Sequence, residues 1–263
     1  MHYTAWLHWS PTTVCNLDCK YCINSIKGVD TGLIHIEALS KTLSGKPKLK
    51  ITFTGGEPFL VPNFIEACEV ITQNHVLELF SNLTSNKLRE FSKRINPNKV
   101  EFVHASFHYD ALKAQGLLDK FKENLNLLKE NGFRIKLKAV AYPPLDYIAV
   151  KTIYPELRFM PYYGVWQNKV YPDAYTKAEL KKFQLNSNCK QIFSRFGKPC
   201  NAGFNVAMVS PTGEIKVCAH IDESLGNIYT GFSFKHEPLI CPKRKCECPF
   251  PEYDKRLFNE AIN

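Results

Sequence analysis

No run of apolar residues in this chain approaches membrane-spanning length, which excludes a helical membrane protein. The opening residues, Met1-His2-Tyr3-Thr4-Ala5-Trp6, lack a basic segment followed by a long apolar core, so no secretory signal is read there and a cytoplasmic location is expected. Without an export signal, the ten cysteines of a 263-residue chain do not describe a secreted disulfide scaffold; clustered thiols in such a chain point to metal. Acidic residues are in deficit, 25 against 34 Lys and Arg, for a net charge of +9. That balance permits an anionic partner. Yet the lysines are spread along the chain, and the densest stretch, Lys243-Arg244-Lys245, lies inside a cysteine cluster, where cations offset thiolate charge. Nucleic acid is therefore not the expected partner. With 44% hydrophobic residues the chain can bury a real core, as one large domain with a small extension or as two modest ones.

What is present begins with Cys15-x3-Cys19-x2-Cys22, with Tyr21 just before the third cysteine. A loop this short turns three thiolates onto one soft metal centre and leaves a coordination position with no protein ligand. A structural zinc site closes its tetrahedron with four protein ligands; a centre held by three keeps a place for substrate or cofactor. About 30 residues on, the β-rich run Lys50-Ile51-Thr52-Phe53-Thr54 ends in Gly55-Gly56-Glu57-Pro58, a strand breaking into a tight turn whose glycines let a ligand approach the backbone.

Together the two motifs closely resemble those of radical S-adenosylmethionine (SAM) enzymes. The resemblance implies a [4Fe-4S] cluster on Cys15, Cys19 and Cys22, with SAM chelating the open iron and Gly55, Gly56 and Glu57 at its ammonium. Ser81-Asn82, at the end of a strand, matches the family's step near the SAM ribose, and Tyr21 and Ser106 are further cofactor-side candidates. His108 and Tyr109, after the next strand, are the candidate catalytic residues. His104 reads more simply as a satisfied structural histidine, and Cys68 as a small buried hydrophobe on a helix.

Alternating periodicities predict strands over 5–10, 49–54, 75–80, 99–107, 134–142 and 156–160. Helices are predicted over 31–44, 62–72, 117–131 and 148–154. Six β/α units in about 160 residues fit an α/β fold of the partial (β/α)6 TIM-like barrel type, with ligands at the carboxyl face. The expected organisation is a core over 1–160, an aromatic linker over 161–184 and a cysteine-rich extension over 185–263. The linker holds Tyr162, Tyr163, Trp166, Tyr171 and Tyr175, each of which lines a pocket or packs the linker.

In the extension, Cys200-x12-Gly213-x4-Cys218 flanks a β-hairpin, and Cys241, Cys246 and Cys248 follow. Four cysteines on a hairpin and a loop also describe zinc ribbons. The pattern resembles the family's auxiliary-cluster extension in its short, twitch form. The longer SPASM form has a C-x2-C-x5-C-x3-C series that is missing here, so one auxiliary [4Fe-4S] cluster is expected. Cys200, Cys218, Cys241 and Cys246 are its first candidates, with Cys248 as rival, and Cys189 is read as a structural thiol.

The resemblance implies an oxygen-sensitive oxidoreductase-type enzyme: an electron from a flavodoxin or ferredoxin cleaves SAM, and the 5′-deoxyadenosyl radical takes a hydrogen from substrate. Family members with such extensions modify ribosomal peptides or oxidise carbohydrates and nucleotides. With the cysteine motif at residue 15, no N-terminal leader-binding domain is expected, which favours a small carbohydrate- or nucleotide-like substrate over a peptide. A zinc-binding, nucleic-acid-associated module is the more distant alternative.

Overall fold

The computed structural model describes residues 3–23, 28, 32–186 and 196–244. Strand and helix alternate as the periodicities predict: β1 (Ala5–Trp9), α1 (Ile36–Ser44), β2 (Leu49–Phe53), α2 (Phe64–Asn74), β3 (Val76–Ser81), α3 (Leu88–Arg94), β4 (Val100–Ser106), α4 (Tyr109–Ala114), α5 (Leu118–Glu130), β5 (Ile135–Val140), α6 (Tyr147–Ile153) and β6 (Arg158–Met160). Next come β7 (Gly164–Trp166), β8 (Lys169–Tyr171) and α7 (Lys177–Lys182). The extension adds β9 (Pro199–Cys200), β10 (Val206–Val209), β11 (Glu214–Cys218), β12 (Ile221–Asn227), β13 (Gly231–Phe232) and β14 (Leu239–Ile240).

Ten strands make one sheet, in the order β13-β12-β11-β10-β1-β2-β3-β4-β5-β6. β1 to β6 are parallel throughout. The hairpin read around Gly213 is present, with Met208 opposite Lys216, but β10 also pairs in parallel with β1, Trp6 opposite Val206. The extension thus continues the parallel sheet at its β1 side, a pairing that no local pattern announces. Two short helices, α3 and α4, and the β7–β8 hairpin also escaped the periodicities, each being too short for a repeat to emerge. Among the described residues no helix is long and apolar enough to cross a membrane.

Strand alternation divides the side chains between two faces. Leu7, Trp9, Ile51, Phe53, Leu77, Leu79, Val103 and Ala105 form the helix-side core, all fully buried. Cys68 on α2 belongs to it, as its helical spacing predicts. The other face is polar although buried. Lys50, 1% exposed, pairs with Glu78 at 3.0 Å and with Glu101. Glu78 also accepts from Thr52 at 2.8 Å and meets His104 Nε2 at 2.9 Å, while Trp6 donates to Thr52 at 2.7 Å. Burial pushes the Glu78 carboxyl up, but His104 and Lys50 together hold it well below the usual range. Burial keeps His104 neutral despite that carboxylate. His104 is thus a structural histidine satisfied on one side only, its buried Nδ1 having no hydrogen-bond partner among the described residues, and the network ties β1 to β4 through side chains.

Candidate active site at the carboxyl end of the sheet

β1 and β2 stay bonded beyond the sheet: Thr54 N–H donates to Trp9 O at 2.8 Å, Gly56 N–H to Thr12 O and Glu57 N–H to Val14 O, both at 2.9 Å. The lead into the cysteine triplet therefore lies along the Gly-Gly-Glu turn. A Cβ on Gly55, at φ +102°, would stand 2.6 Å from Thr12 O, and one on Gly56 would come closer still to Val14 O. The backbone that these glycines admit is, in the first place, the chain's own.

Glu57 is buried and turned inward. It accepts from Ser81 Oγ at 2.9 Å, from Asn82 N–H at 2.8 Å and from Phe59 N–H at 3.3 Å. Burial lifts its carboxyl to about 7 against those three donors. Asn82 passes the connection on: its Nδ2 reaches Asn16 Oδ1 at 2.9 Å and Cys15 Sγ at 3.8 Å, and its Oδ1 accepts from Thr84 Oγ1 at 2.6 Å. Asn16 closes the ring by donating to Thr84 Oγ1 at 2.8 Å. The motif residues Cys15, Glu57, Ser81 and Asn82 thus share one network, which Asn16, inside the cysteine motif, and Thr84, two residues after Asn82, join unforeseen.

Cys15 and Cys22 are exposed and Cys19 half-buried. Leu17 N–H donates to Cys15 Sγ at 3.5 Å, and Cys22 N–H donates to Cys19 O at 3.1 Å, folding the triplet into a turn. Burial raises the Cys15 thiol, partly offset by that Leu17 donor, and Glu57 and Cys22 raise it further. Such a thiol needs positive charge, which a metal supplies on ligation. Among the described residues no three Cys, His, Asp or Glu side chains gather closely enough to hold one ion. Three thiols on one turned, exposed loop are a donor set that would suit an iron–sulfur cluster.

Tyr21 points from the triplet into the protein, 7% exposed, with its hydroxyl 3.0 Å from His108 Nδ1 and its ring 5.1 Å from Tyr142. Burial first, then the Cys19 charge, keep the phenol protonated, and burial lowers His108 to about 4. The pair is therefore a neutral phenol and a neutral imidazole sharing one hydrogen bond. Ser106 lies at the same end of the sheet, opposite Lys138 on β5, a cation the sequence reading passed over. Tyr109, by contrast, starts α4 in the helix-side core, its ring 6.0 Å from Phe107.

The C-terminal cysteines are arranged otherwise. Cys200 on β9 stands opposite Leu239 on β14, two residues before Cys241, so Cys200 and Cys241 share one face of a two-stranded ribbon. Cys218 ends β11 and accepts from His220 N–H at 3.4 Å. Cys189, Cys246 and Cys248 lie outside the described residues.

The sequence profile of the Radical SAM superfamily matches residues 9–154. GTP 3′,8-cyclases are 36% identical over 32% of this chain (Haemophilus ducreyi) and 33% identical over 54% of it (Pasteurella multocida); the chain spans 26% and 46% of their lengths. The antilisterial bacteriocin subtilosin biosynthesis protein AlbA of Bacillus subtilis is 22% identical over 95% of this chain and 66% of its own. Among solved structures, anSMEcpe with bound AdoMet aligns at TM-score 0.59 and 18% identity, over 85% of this chain and 78% of that one. Streptococcus suis SuiB bound to S-adenosylmethionine aligns at TM-score 0.60 and 14% identity, over 98% and 68%. At those identities the two structures speak for the fold alone. The profile, however, covers more than half of the sequence, including the cysteine triplet, the Gly-Gly-Glu turn and Ser81-Asn82, and the chain belongs to the radical SAM superfamily.

Proposed function

We propose that this chain is a radical SAM enzyme acting on a peptide or protein substrate, with Cys15, Cys19 and Cys22 holding a [4Fe-4S] cluster. The observation that carries the chemistry is the Glu57–Asn82–Cys15 network, which joins the ends of β2 and β3 to the cysteine loop. A [4Fe-4S] cluster held by Cys15, Cys19 and Cys22 would supply low-potential electron transfer to SAM, with a flavodoxin or ferredoxin as reductant, and so hydrogen abstraction from substrate. The chain's own part is placement and exclusion of water. The segment 54–57 lines the cofactor side with backbone, and Glu57, already engaged, fixes Ser81 and Asn82 rather than reaching outward. Ser106 and Lys138 offer a hydroxyl and a cation to the cofactor's polar end. His108 steadies Tyr21 through the phenol and presents a neutral ring to the site, and Tyr109 serves packing.

The peptide reading, the alternative in the sequence, is here preferred to the small-molecule one. It is supported by a relative that matches nearly the whole of this chain, AlbA, named for bacteriocin biosynthesis. A nucleotide substrate is favoured instead by the cyclases, whose identities are higher over shorter stretches. One auxiliary [4Fe-4S] cluster on Cys200, Cys218 and Cys241, completed by Cys246 or Cys248, belongs to the same proposal. The N–H···S bond at Cys218 supports it, repeating the one at Cys15.

Iron and acid-labile sulfide after anaerobic reconstitution test both sites. About eight irons are expected per chain and about four in the Cys15→Ala, Cys19→Ala, Cys22→Ala variant. Zinc without sulfide would end the radical reading.

A further inference from the structure

The aromatic residues between β6 and α7 are not equivalent. Tyr162 and Tyr175 are buried and bonded: Tyr175 Oη accepts from Tyr162 N–H at 2.8 Å and donates to Ala141 O at 2.6 Å, while Tyr162 Oη donates to Val165 O at 3.1 Å. Tyr171 packs between them, 5.7 Å from Tyr162 and 4.8 Å from Tyr175. Packing accounts for all three.

Trp166 differs. It is half-buried, and its one ring contact is edge-on to Tyr142 at 5.2 Å. Its indole N–H makes no hydrogen bond among the described residues. Tyr142 in turn lies 5.1 Å from Tyr21 of the cysteine loop, so Trp166 is the second ring out from the triplet.

The scaffold under Trp166 is stiff. Trp166 and Lys169 close a two-residue turn in which Gln167 and Asn168 both have positive φ, +48° and +60°, the conformation of a type I′ hairpin. Glutamine is held there without glycine's freedom. At the hairpin's base, a side chain on Gly164 would overlap the Tyr162 hydroxyl, so that ring locks the strand from below. A side chain on such a support loses little entropy when it binds.

We infer that Trp166 is a specificity-determining residue that contacts the substrate, an extended peptide, on the outer side of the Tyr142 ring. The inference deepens the peptide reading proposed above and rests on it. A broad apolar ring with one free donor matches a peptide, whose side chain covers the ring and whose backbone carbonyl takes the N–H. The ring has no charge with which to hold a phosphate.

Fluorescence isolates this residue, because the other tryptophans, Trp6 and Trp9, are 5% and 0% exposed. On the reconstituted enzyme with SAM, acrylamide quenching is followed as short unstructured synthetic peptides, GTP or an aminoglycoside are added. Peptides are expected to shield Trp166, and Trp166→Phe to lose the shielded signal. In Trp166→Ala, stimulation of SAM cleavage by peptide is expected to need about tenfold more peptide, roughly 1.4 kcal/mol of contact. SAM affinity, iron content and peptide-free 5′-deoxyadenosine formation stay at the parent level. Shielding by GTP or the aminoglycoside alone, no shielding at all, or loss of iron or SAM affinity in Trp166→Phe would each overturn the assignment. The quenching needs no turnover, so a parent that forms no 5′-deoxyadenosine counts against the radical reading and leaves the quenching to be judged by itself.

Discussion

The two cysteine systems are held by different means: the triplet and Cys218 follow strands of the ten-stranded sheet, whereas Cys200 and Cys241 belong to a separate two-stranded ribbon. The triplet follows the carboxyl end of β1 and is tied down by side chains: Asn82 and Asn16 bond across to it, and buried Glu57 bonds to Asn82 from beneath. Cys218 ends β11. Continuing the register of Met208 with Lys216 brings it level with Val206, which pairs with Trp6 near the start of β1. About four residues of strand, or roughly 13 Å, separate that level from Ser10, where the lead into the triplet begins. Cys200 and Cys241 are held by ladder bonds of a short ribbon. What both systems share is a backbone N–H two residues on that donates to sulfur, at 3.5 Å for Cys15 and 3.4 Å for Cys218. The difference teaches that an exposed loop is positioned through buried polar partners elsewhere in the fold, whereas thiols on a ribbon inherit their places from strand register.

If the C-terminal cysteines hold the proposed auxiliary cluster and the two systems are independent, the triple cysteine variant loses 5′-deoxyadenosine formation altogether and keeps about four irons. A matching loss of all iron would show the two systems to be coupled. Gly56→Ala separates them more finely. The new methyl drives Val14 off the turn, so iron at the triplet is expected to fall by more than half while the C-terminal iron stays. A stability loss of about 1–3 kcal/mol by thermal or urea unfolding should accompany it.

Glu57→Gln probes the buried support through pH. The folded carboxyl is raised to about 7 from an ordinary 4.5, so its contribution to stability is fully present below the lower value and is lost as pH rises through the upper. The wild type should therefore lose on the order of 3 kcal/mol relative to the variant between pH 4.5 and 7.5 in urea unfolding of the apoprotein. A constant difference would mean the carboxyl ionises normally. Asn82→Ala should have the smallest effect. Losing one N–H···S contact to Cys15 makes the reduced cluster less stable, and its midpoint potential should move down by about tens of millivolts, read by EPR titration.

Much of this architecture is legible in the sequence because it is written locally. The strand and helix repeats give β1 to β6 and α5, and the motif spacings give the triplet, the turn and Ser81-Asn82 as parts of one site. What local pattern does not carry is who fills the space. Gly55 and Gly56 look made for a ligand, and the chain's own Thr12 to Val14 lies against them. Glu57 looks outward in the motif and is turned inward by Ser81 and Asn82. Lys50 reads as an ordinary strand lysine, and only the pairing of β2 with β3 and β4 makes it a buried cation between two carboxylates. Trp166 differs from Tyr162 and Tyr175 only through hydrogen bonds made in three dimensions.

The parallel pairing of β1 with β10 also bears on how the molecule is made. β1 receives one neighbour from β2 within about 50 residues, but β10 leaves the ribosome some 200 residues after β1. Contacts that far apart in sequence form late and slowly. Until they form, one edge of β1, and with it the backbone leading into the triplet, stays unpaired. The nascent chain thus passes through an interval in which β1 to β6 can pair while the triplet's loop has one supported side.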